Sequence, residues 1–350
     1  MAHESTTGKA QSSGVRVAVY MPAYEPKKAH IRAAMESVRA QTCTDWTLLI
    51  NDDASVREDV KSHVQEYLSD PRITLKRNER NLGIGGNWNA CWQGAPPSPE
   101  ADGVAREREV GGVRQNSEFI AFLFHDDLWE PAYLEKMIAA LDLHPSAGFA
   151  AANHTYLQEG EVPAAPFYEE LQRCVHQNIT PGLHEHHEFL RWWISRGFKP
   201  NVIGEPSFIV LRRSLMEVVG PFNASMVQFL DSEYWARCLL KADWIYVAED
   251  LGKFRVHPSG MSAVNEGLGR GVFERFQTLQ TVVADLPPEE RGIGNAALVN
   301  ALSGMIGQYF ARRKQGRNVN SYGSGGLKKF ILRHPILLLR AFARWSMQSL

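Results

Sequence analysis

Apolar and polar positions follow a repeating order through the first half of the chain. Residues 15–24, VRVAVYMPAY, form an apolar run interrupted by Pro22 and predict a strand. Across 29–41 the apolar residues Ile31, Met35 and Val38 recur at helical spacing. WTLLINDDAS at 46–55 predicts a second strand, 56–70 an amphipathic helix, and 72–78 a third strand. A glycine-rich turn, NLGIGGNWNACWQG, opens a short helix at 81–94. The run FIAFLF at 119–124 has the length and composition of a strand buried on both faces. A helix at 132–145 and a strand at 147–157 follow, then an irregular, aromatic stretch over 160–205. Residues 206–223 and 231–250 restore helix and strand patterns, and beyond 265 the pattern is helical. Strands alternating with helices predict an α/β domain with a mainly parallel, Rossmann-like sheet flanked by helices.

The same pattern sets the boundaries. Residues 1–14 are a polar, flexible tail, 15–264 one domain, and 265–350 a helical C-terminal extension. Within the domain, 95–118 is rich in Pro, Gly and charge and predicts a flexible surface insertion.

In such sheets ligands bind beyond the carboxyl ends of the strands. MPAYE, NDDAS and HDD all fall at strand ends, so acidic elements from separate strands converge on one edge. Asp126 and Asp127 are adjacent like charges, costly unless a cation, water or hydrogen-bond donors compensate them. Capping of the helix that follows is the plainer reading of Asp127.

Composition narrows the partners. A formal net charge of −1 argues against nucleic acid. Cys43, Cys91, Cys174 and Cys238 lie far apart without CxxC pairing and read as free thiols of a reducing compartment. The first residues carry no apolar signal core, and no stretch reaches the ~18 apolar residues of a membrane span. The expected location is the cytoplasm. Residues 327–350 combine basic and apolar side chains; they suit peripheral contact with the inner face of an anionic membrane, packing on the domain, or packing on a second subunit.

Six motifs in order resemble the family 2 inverting glycosyltransferases of GT-A fold: VAVYMPAYEP, SVRAQTCTDWTLLINDDAS, NLGIGGNWNACW, HDD, LDSEYWAR and FRVHPSGMS. The resemblance spans 15–262. It implies transfer of a sugar from a nucleotide diphosphate donor, UDP by preference, to a glycan or lipid-linked acceptor in surface polysaccharide assembly. It also implies a divalent cation, Mn²⁺ or Mg²⁺, to offset charge on the departing diphosphate. By resemblance Asp127 and His257 hold the metal, and Asp126 faces the donor's ribose or sugar. Asp53 takes the uracil N–H beside Tyr24, with Pro22, Ala23, Glu25 and Asp52 in the same turns. Asn81 and Gly83 open the next helix, and Gly204 and Glu205 lie near the transferred sugar. Asp231 is the base, although it would also suit an N-cap of a helix at 232–241.

Two positions depart from the family. Trp88 stands where a basic residue is usual, at a position that by resemblance binds the donor, with core packing the plainer reading, and Leu230 stands where an acid is usual. They motivate an alternative, a nucleotide-sugar-binding protein that has lost transfer. A nucleotidyltransferase would need a glycine-rich, basic loop after the first strand, which MPAYEPKKAH lacks. HEHHEF at 184–189 invites a zinc reading, but no second ligand cluster stands at the usual spacing. Trp192, Trp193 and Lys199 are candidates for an acceptor groove.

Overall fold

The computed structural model describes residues 15–93, 109–110, 113–114, 117–160, 165–257, 270–314 and 334–348. The first half runs β1 (Val17–Ala23), α1 (Lys28–Arg39), β2 (Trp46–Asp52), α2 (Val60–Val64), β3 (Ile73–Arg77) and α3 (Gly83–Gln93). Then come β4 (Glu109–Val110), β5 (Val113–Arg114), β6 (Phe119–Phe122), β7 (Leu128–Trp129), α4 (Tyr133–Leu143) and β8 (Ala147–Gln158). The second half has α5 (Ala165–Asn178), β9 (Gly182–His184), α6 (His186–Ser195), β10 (Ile209–Arg212), α7 (Arg213–Val219), α8 (Leu230–Leu239) and β11 (Asp243–Val256). Three helices follow: α9 (Arg270–Asp285), α10 (Arg291–Lys314) and α11 (Pro335–Gln348).

The main sheet has the order β3-β2-β1-β6-β10-β8-β11-β7, with β9 pairing β11. β3, β2, β1 and β6 are parallel, β10 runs against both its neighbours, and β8 and β11 are parallel again. Along β1 the side chains alternate between two cores, as a strand buried on both faces requires. Val17, Val19 and Met21 pack with Ile31 and Met35 of α1 and Met137 of α4. Ala18 and Tyr20 join the other core with Trp88 of α3, Trp193 of α6 and Trp235 of α8. Phe276, Leu279 and Leu302 of α9 and α10 add to that second core, so the C-terminal helices cover one face of the sheet. The expected domain boundary at 264 and 265 lies outside the described residues, as do the tail at 1–14 and most of 95–118.

Three expectations change. Pro22 does not break its strand: β1 runs on to Ala23 against β2, and Pro22 lies past Tyr20, where pairing with β6 ends. The missing N–H is tolerated there. The stretch 160–205 is not irregular, since α5, β9 and α6 occupy most of it. The helix expected from residue 56 starts at Val60, because the N–H groups of Val56, Arg57 and Glu58 are bound by the Glu25 carboxylate.

Candidate active site

The carboxyl ends of β1, β2 and β3 are tied into one polar wall. Glu25, at φ +48°, points its carboxylate into three successive backbone N–H groups at 2.8–3.2 Å, and its own N–H donates to Ser55 Oγ. Those donors offset the burial of its carboxylate and hold its pKa below the ordinary value. Asp52 accepts from the Ser55 N–H at 3.0 Å and pairs with Arg77, so it shapes the turn. Asp53 is 1% exposed. Its Oδ1 accepts from Asn78 Nδ2 and the Leu82 N–H, and its Oδ2 from the Gly83 N–H at 3.0 Å. It therefore caps α3 from another strand, with Asn81 Oδ1 sharing the Gly83 N–H. Gly83 has φ +75°, a conformation glycine adopts freely. Asn51, Asn78 and Asn87 are buried and bonded to one another beneath this wall. Pro22 and Ala23 lie in β1, where the Ala23 carbonyl accepts from the Asp53 N–H, and Tyr24 stands 46% exposed beside them.

Trp88 turns inward. Its ring lies 5.0 Å from Phe124 and 5.2 Å from Phe222, and it is nearly buried, so it packs the core. The next residue, Asn89, clamps Phe222 through both its backbone N–H and its carbonyl. A Cβ on Gly85 would stand 2.8 Å from the Ala224 backbone, so α3 and the 222–226 loop meet in direct contact. Leu230 is also core.

The HDD segment forms the facing wall. Asp127 is 1% exposed and bonded at both oxygens: Oδ1 accepts from the Arg255 N–H at 2.9 Å, and Oδ2 from Ser207 Oγ at 2.5 Å. Capping is not its role, because α4 begins after Ala132, which caps with no side-chain bond. Burial and the neighbouring Asp126 charge push its pKa well up. Asp126 stays partly exposed, with Oδ2 3.1 Å from His257 Nε2. Burial opposes its charge, but His125 and His257 more than offset this and its pKa lies low. The long β11 makes the meeting possible. Its last residues pair with the end of β8, which carries Arg255 and then His257 to the edge where β6 ends. Asp126 and His257 offer an oxygen and a nitrogen of the kind that suits Mn²⁺ or Mg²⁺, whereas Asp127 spends both oxygens on holding the segment in place.

Asp231 lies in the first turn of α8, partly buried. Asn201 Nδ2 donates to its Oδ2 at 2.9 Å, and the Ser232 N–H to its Oδ1 at 2.6 Å. Burial raises its pKa to about 7; the Ser232 N–H opposes the rise and the Glu205 charge adds to it. The expected capping by Asp231 does not occur, because the helix already begins at Leu230. The loop that leads into the helix is instead held by Glu274 of α9, whose buried carboxylate accepts from the N–H groups of Val227, Gln228 and Phe229 at 2.8–3.0 Å. Glu233 is engaged by Arg237. Gly204, at φ +107°, accepts from Trp235 Nε1 and Asn201 Nδ2, so one asparagine fixes both this loop and Asp231. Glu205 Oε2 contacts His154 Nε2 at 2.9 Å.

Sequence reasoning missed Asn201, Glu274 and the asparagines at 51, 78 and 87. The last three stand in or beside the NDDAS and NLG motifs, so a run of amides around an aspartate was the available signal. For Glu274 there was none. The histidine-rich HEHHEF does gain a partner: Glu185, His186 and Asp243 present ligand atoms within 4.8 Å of one another. They lie at the start of β11, across the sheet from the HDD edge, and Asp243 already accepts from the His186 ring and backbone. Trp193 is core and bonds the Pro200 carbonyl.

The family model described as glycosyl transferase family 2 matches residues 18–95, which ends at the first wall. The enzyme named UDP-Glc:alpha-D-GlcNAc-diphosphoundecaprenol beta-1,3-glucosyltransferase WfgD, of Escherichia coli, is 30% identical over 146 residues, 42% of this chain and 48% of that protein. Among solved structures, S. aureus TarS in complex with UDP-GlcNAc superposes with a TM-score of 0.58 at 15% identity, covering 94% of this chain and 80% of that one. The mannosyltransferase PcManGT of Pyrobaculum calidifontis, with GDP-Man and Mn²⁺, gives 0.53 at 15% identity, over 97% and 89%. With its mixed sheet, its six ordered motifs and these relatives, the chain is a glycosyltransferase whose residues 18–95 match family 2 and whose fold is like that of solved GT-A glycosyltransferases.

Proposed function

We propose that this glycosyltransferase is metal-dependent and inverting, and moves a sugar from a UDP donor to a glycan or lipid-linked acceptor in polysaccharide assembly on the cytoplasmic side of a membrane. The observation that carries the reading is Asp231, held by Asn201 and the Ser232 N–H with a pKa of about 7, and near enough to the HDD segment that the Glu205 charge acts on both it and Asp127. A carboxylate that ionises near neutrality suits a general base.

Each oxygen of Asp231 keeps a lone pair beyond its one bond, free to take the acceptor hydroxyl's proton. As that proton leaves, the hydroxyl oxygen bonds the anomeric carbon, and the bond to the diphosphate breaks on the opposite face with its electron pair. Configuration inverts. Asp126 and His257, with Asp127 anchored behind them, are the residues to hold a divalent cation, which when bound offsets charge on the departing diphosphate. Arg255 fixes this group by bonding the Asp126 carbonyl and the Asp127 carboxylate. The similar proteins are associated with UDP-Glc, UDP-GlcNAc and GDP-Man, the last together with Mn²⁺, which supports a diphosphate-activated donor. They divide between uridine and guanosine; the resemblance of the NDDAS turn, with exposed Tyr24 beside it, favours uridine, although Asp53 itself is turned away into the cap of α3.

Release of nucleoside diphosphate from UDP- and GDP-sugars, with and without Mn²⁺, tests the reading. UDP release is expected only with a cation, and Asp126→Ala should raise the Mn²⁺ needed. Undiminished release in excess chelator, or a preference for GDP-sugars, overturns it.

A further inference from the structure

Charge is divided unevenly along this nearly neutral chain. All 39 acidic residues lie before Arg291, while ten of the 38 basic ones lie from Arg291 onward. The C-terminal region therefore carries a large positive excess that the whole-chain figure conceals. Within it, α11 packs one face inward: Ala341 is fully buried and Trp345 stacks on Phe310 of α10 at 4.7 Å. The opposite face is apolar and uncovered. Ile336, Leu339, Ala343 and Met347 follow one another at steps of three, four and four, so they lie along one line of the helix. Ile336 is 68% exposed, Leu339 70% and Met347 72%, and Phe342 flanks them at 47%. Arg340 and Arg344, both exposed, run parallel to that line one position further round.

We propose that this face of α11 docks on an anionic phospholipid surface, with Ile336, Leu339 and Met347 entering the interface and Arg340 and Arg344 meeting the headgroups. An apolar line bordered by cations, in a segment free of acids, is complementary to such a surface. It is a poor match to a second copy of the same face, which would bring the arginines of both copies together. No described helix is long and apolar enough to cross a membrane, so contact would be peripheral. Binding needs neither donor nor acceptor, so it stands or falls independently of the transferase reading.

The test is flotation of the full chain with vesicles of phosphatidylcholine alone and with vesicles containing about one-third phosphatidylglycerol. Binding at least ~10-fold tighter to the anionic vesicles, weakening as salt rises, is expected. Arg340→Gln with Arg344→Gln should cost roughly 10- to 30-fold on anionic vesicles, since each surface cation is worth a factor of about five. Leu339→Asn with Met347→Asn should lower binding further, with thermal unfolding unchanged because both side chains are exposed. Equal binding to both vesicles overturns the proposal. So does a wild-type affinity in the arginine variant, which decides the matter alone if the apolar variant fails to fold. A dimer in light scattering that the apolar variant dissolves, without vesicle binding, assigns the face to self-association instead.

Discussion

The crevice has two walls built in different ways. On the β1–β3 side, the bonds that hold Glu25 and Asp53 join residues 25 to 33 positions apart. On the facing side, Asp127 is bonded to Ser207 across 80 positions and Asp126 to His257 across 131. Asp231 depends on Glu274, 45–47 positions beyond the loop it holds. The first wall is a nearly local structure that supports itself once three strands pair. The second is assembled from β6, β10, β11, α8 and α9, and it holds the groups assigned to chemistry. Binding and turnover should therefore respond to different substitutions.

The sharpest break of that comparison is at Asp231. Asp231→Asn removes the base but keeps the shape, and should lower the transfer rate by ~10²–10⁴-fold. One amide group must then face either the Asn201 amide or the Ser232 N–H, donor against donor, at a cost of about 1 kcal/mol. UDP affinity by calorimetry should stay at the wild-type value, since the first wall is untouched. A variant that loses UDP affinity as steeply as rate would mean the walls are not separate.

Glu274 tests the long-range wall without touching the crevice. Glu274→Ala frees three backbone N–H groups before α8, one of them buried, and leaving such donors without a partner costs ~1–3 kcal/mol. The loop that delivers Asp231 then loosens, so kcat should fall by roughly tenfold while UDP affinity holds. Glu274→Gln retains one acceptor oxygen and should recover part of the rate. A thermal destabilisation with unaltered kcat would leave Glu274 a purely structural brace.

This division also explains what could be read from the chain. The first wall was legible because its motifs are short and contiguous: NDDAS carries the acids, and NLG carries two of the N–H groups that Asp53 binds. The bond from the Ser55 N–H to Asp52 lies within NDDAS itself. HDD was legible as a strand end, but the partners of its two acids were not, because Ser207 and His257 arrive from strands whose order in the sheet the sequence pattern does not give. Trp88 drew attention as a missing cation, yet Phe122, Phe124 and Phe222 make its position an aromatic core site. Asp231 was found by its motif as the base, and the N-cap it would also suit is not formed. The helix starts one residue earlier than the pattern suggests, after a loop that Glu274, from a region that reads only as helical, holds in place.

The smallest expected effect concerns Glu205, which faces both catalytic groups of the second wall. Its negative charge raises the pKa of Asp231 and also that of Asp127. Asp231 must be ionised to accept a proton, so kcat/KM in the wild type should climb with pH through about 7 and level off above it. In Glu205→Gln the charge is gone, ionisation of Asp231 is easier, and the rising limb should move to lower pH. Stability shifts in the same sense. The folded state holds a proton on Asp231 that the unfolded chain has released, so Asp231 erodes stability as pH rises from its ordinary value of 3.8 toward 7, and less so in the variant. Changed contact with the donor sugar would alter the height of the profile but not the position of its limb, which separates a charge effect from a binding effect. An unmoved limb in Glu205→Gln would mean that the two carboxylates do not sense each other, and that burial alone sets the base.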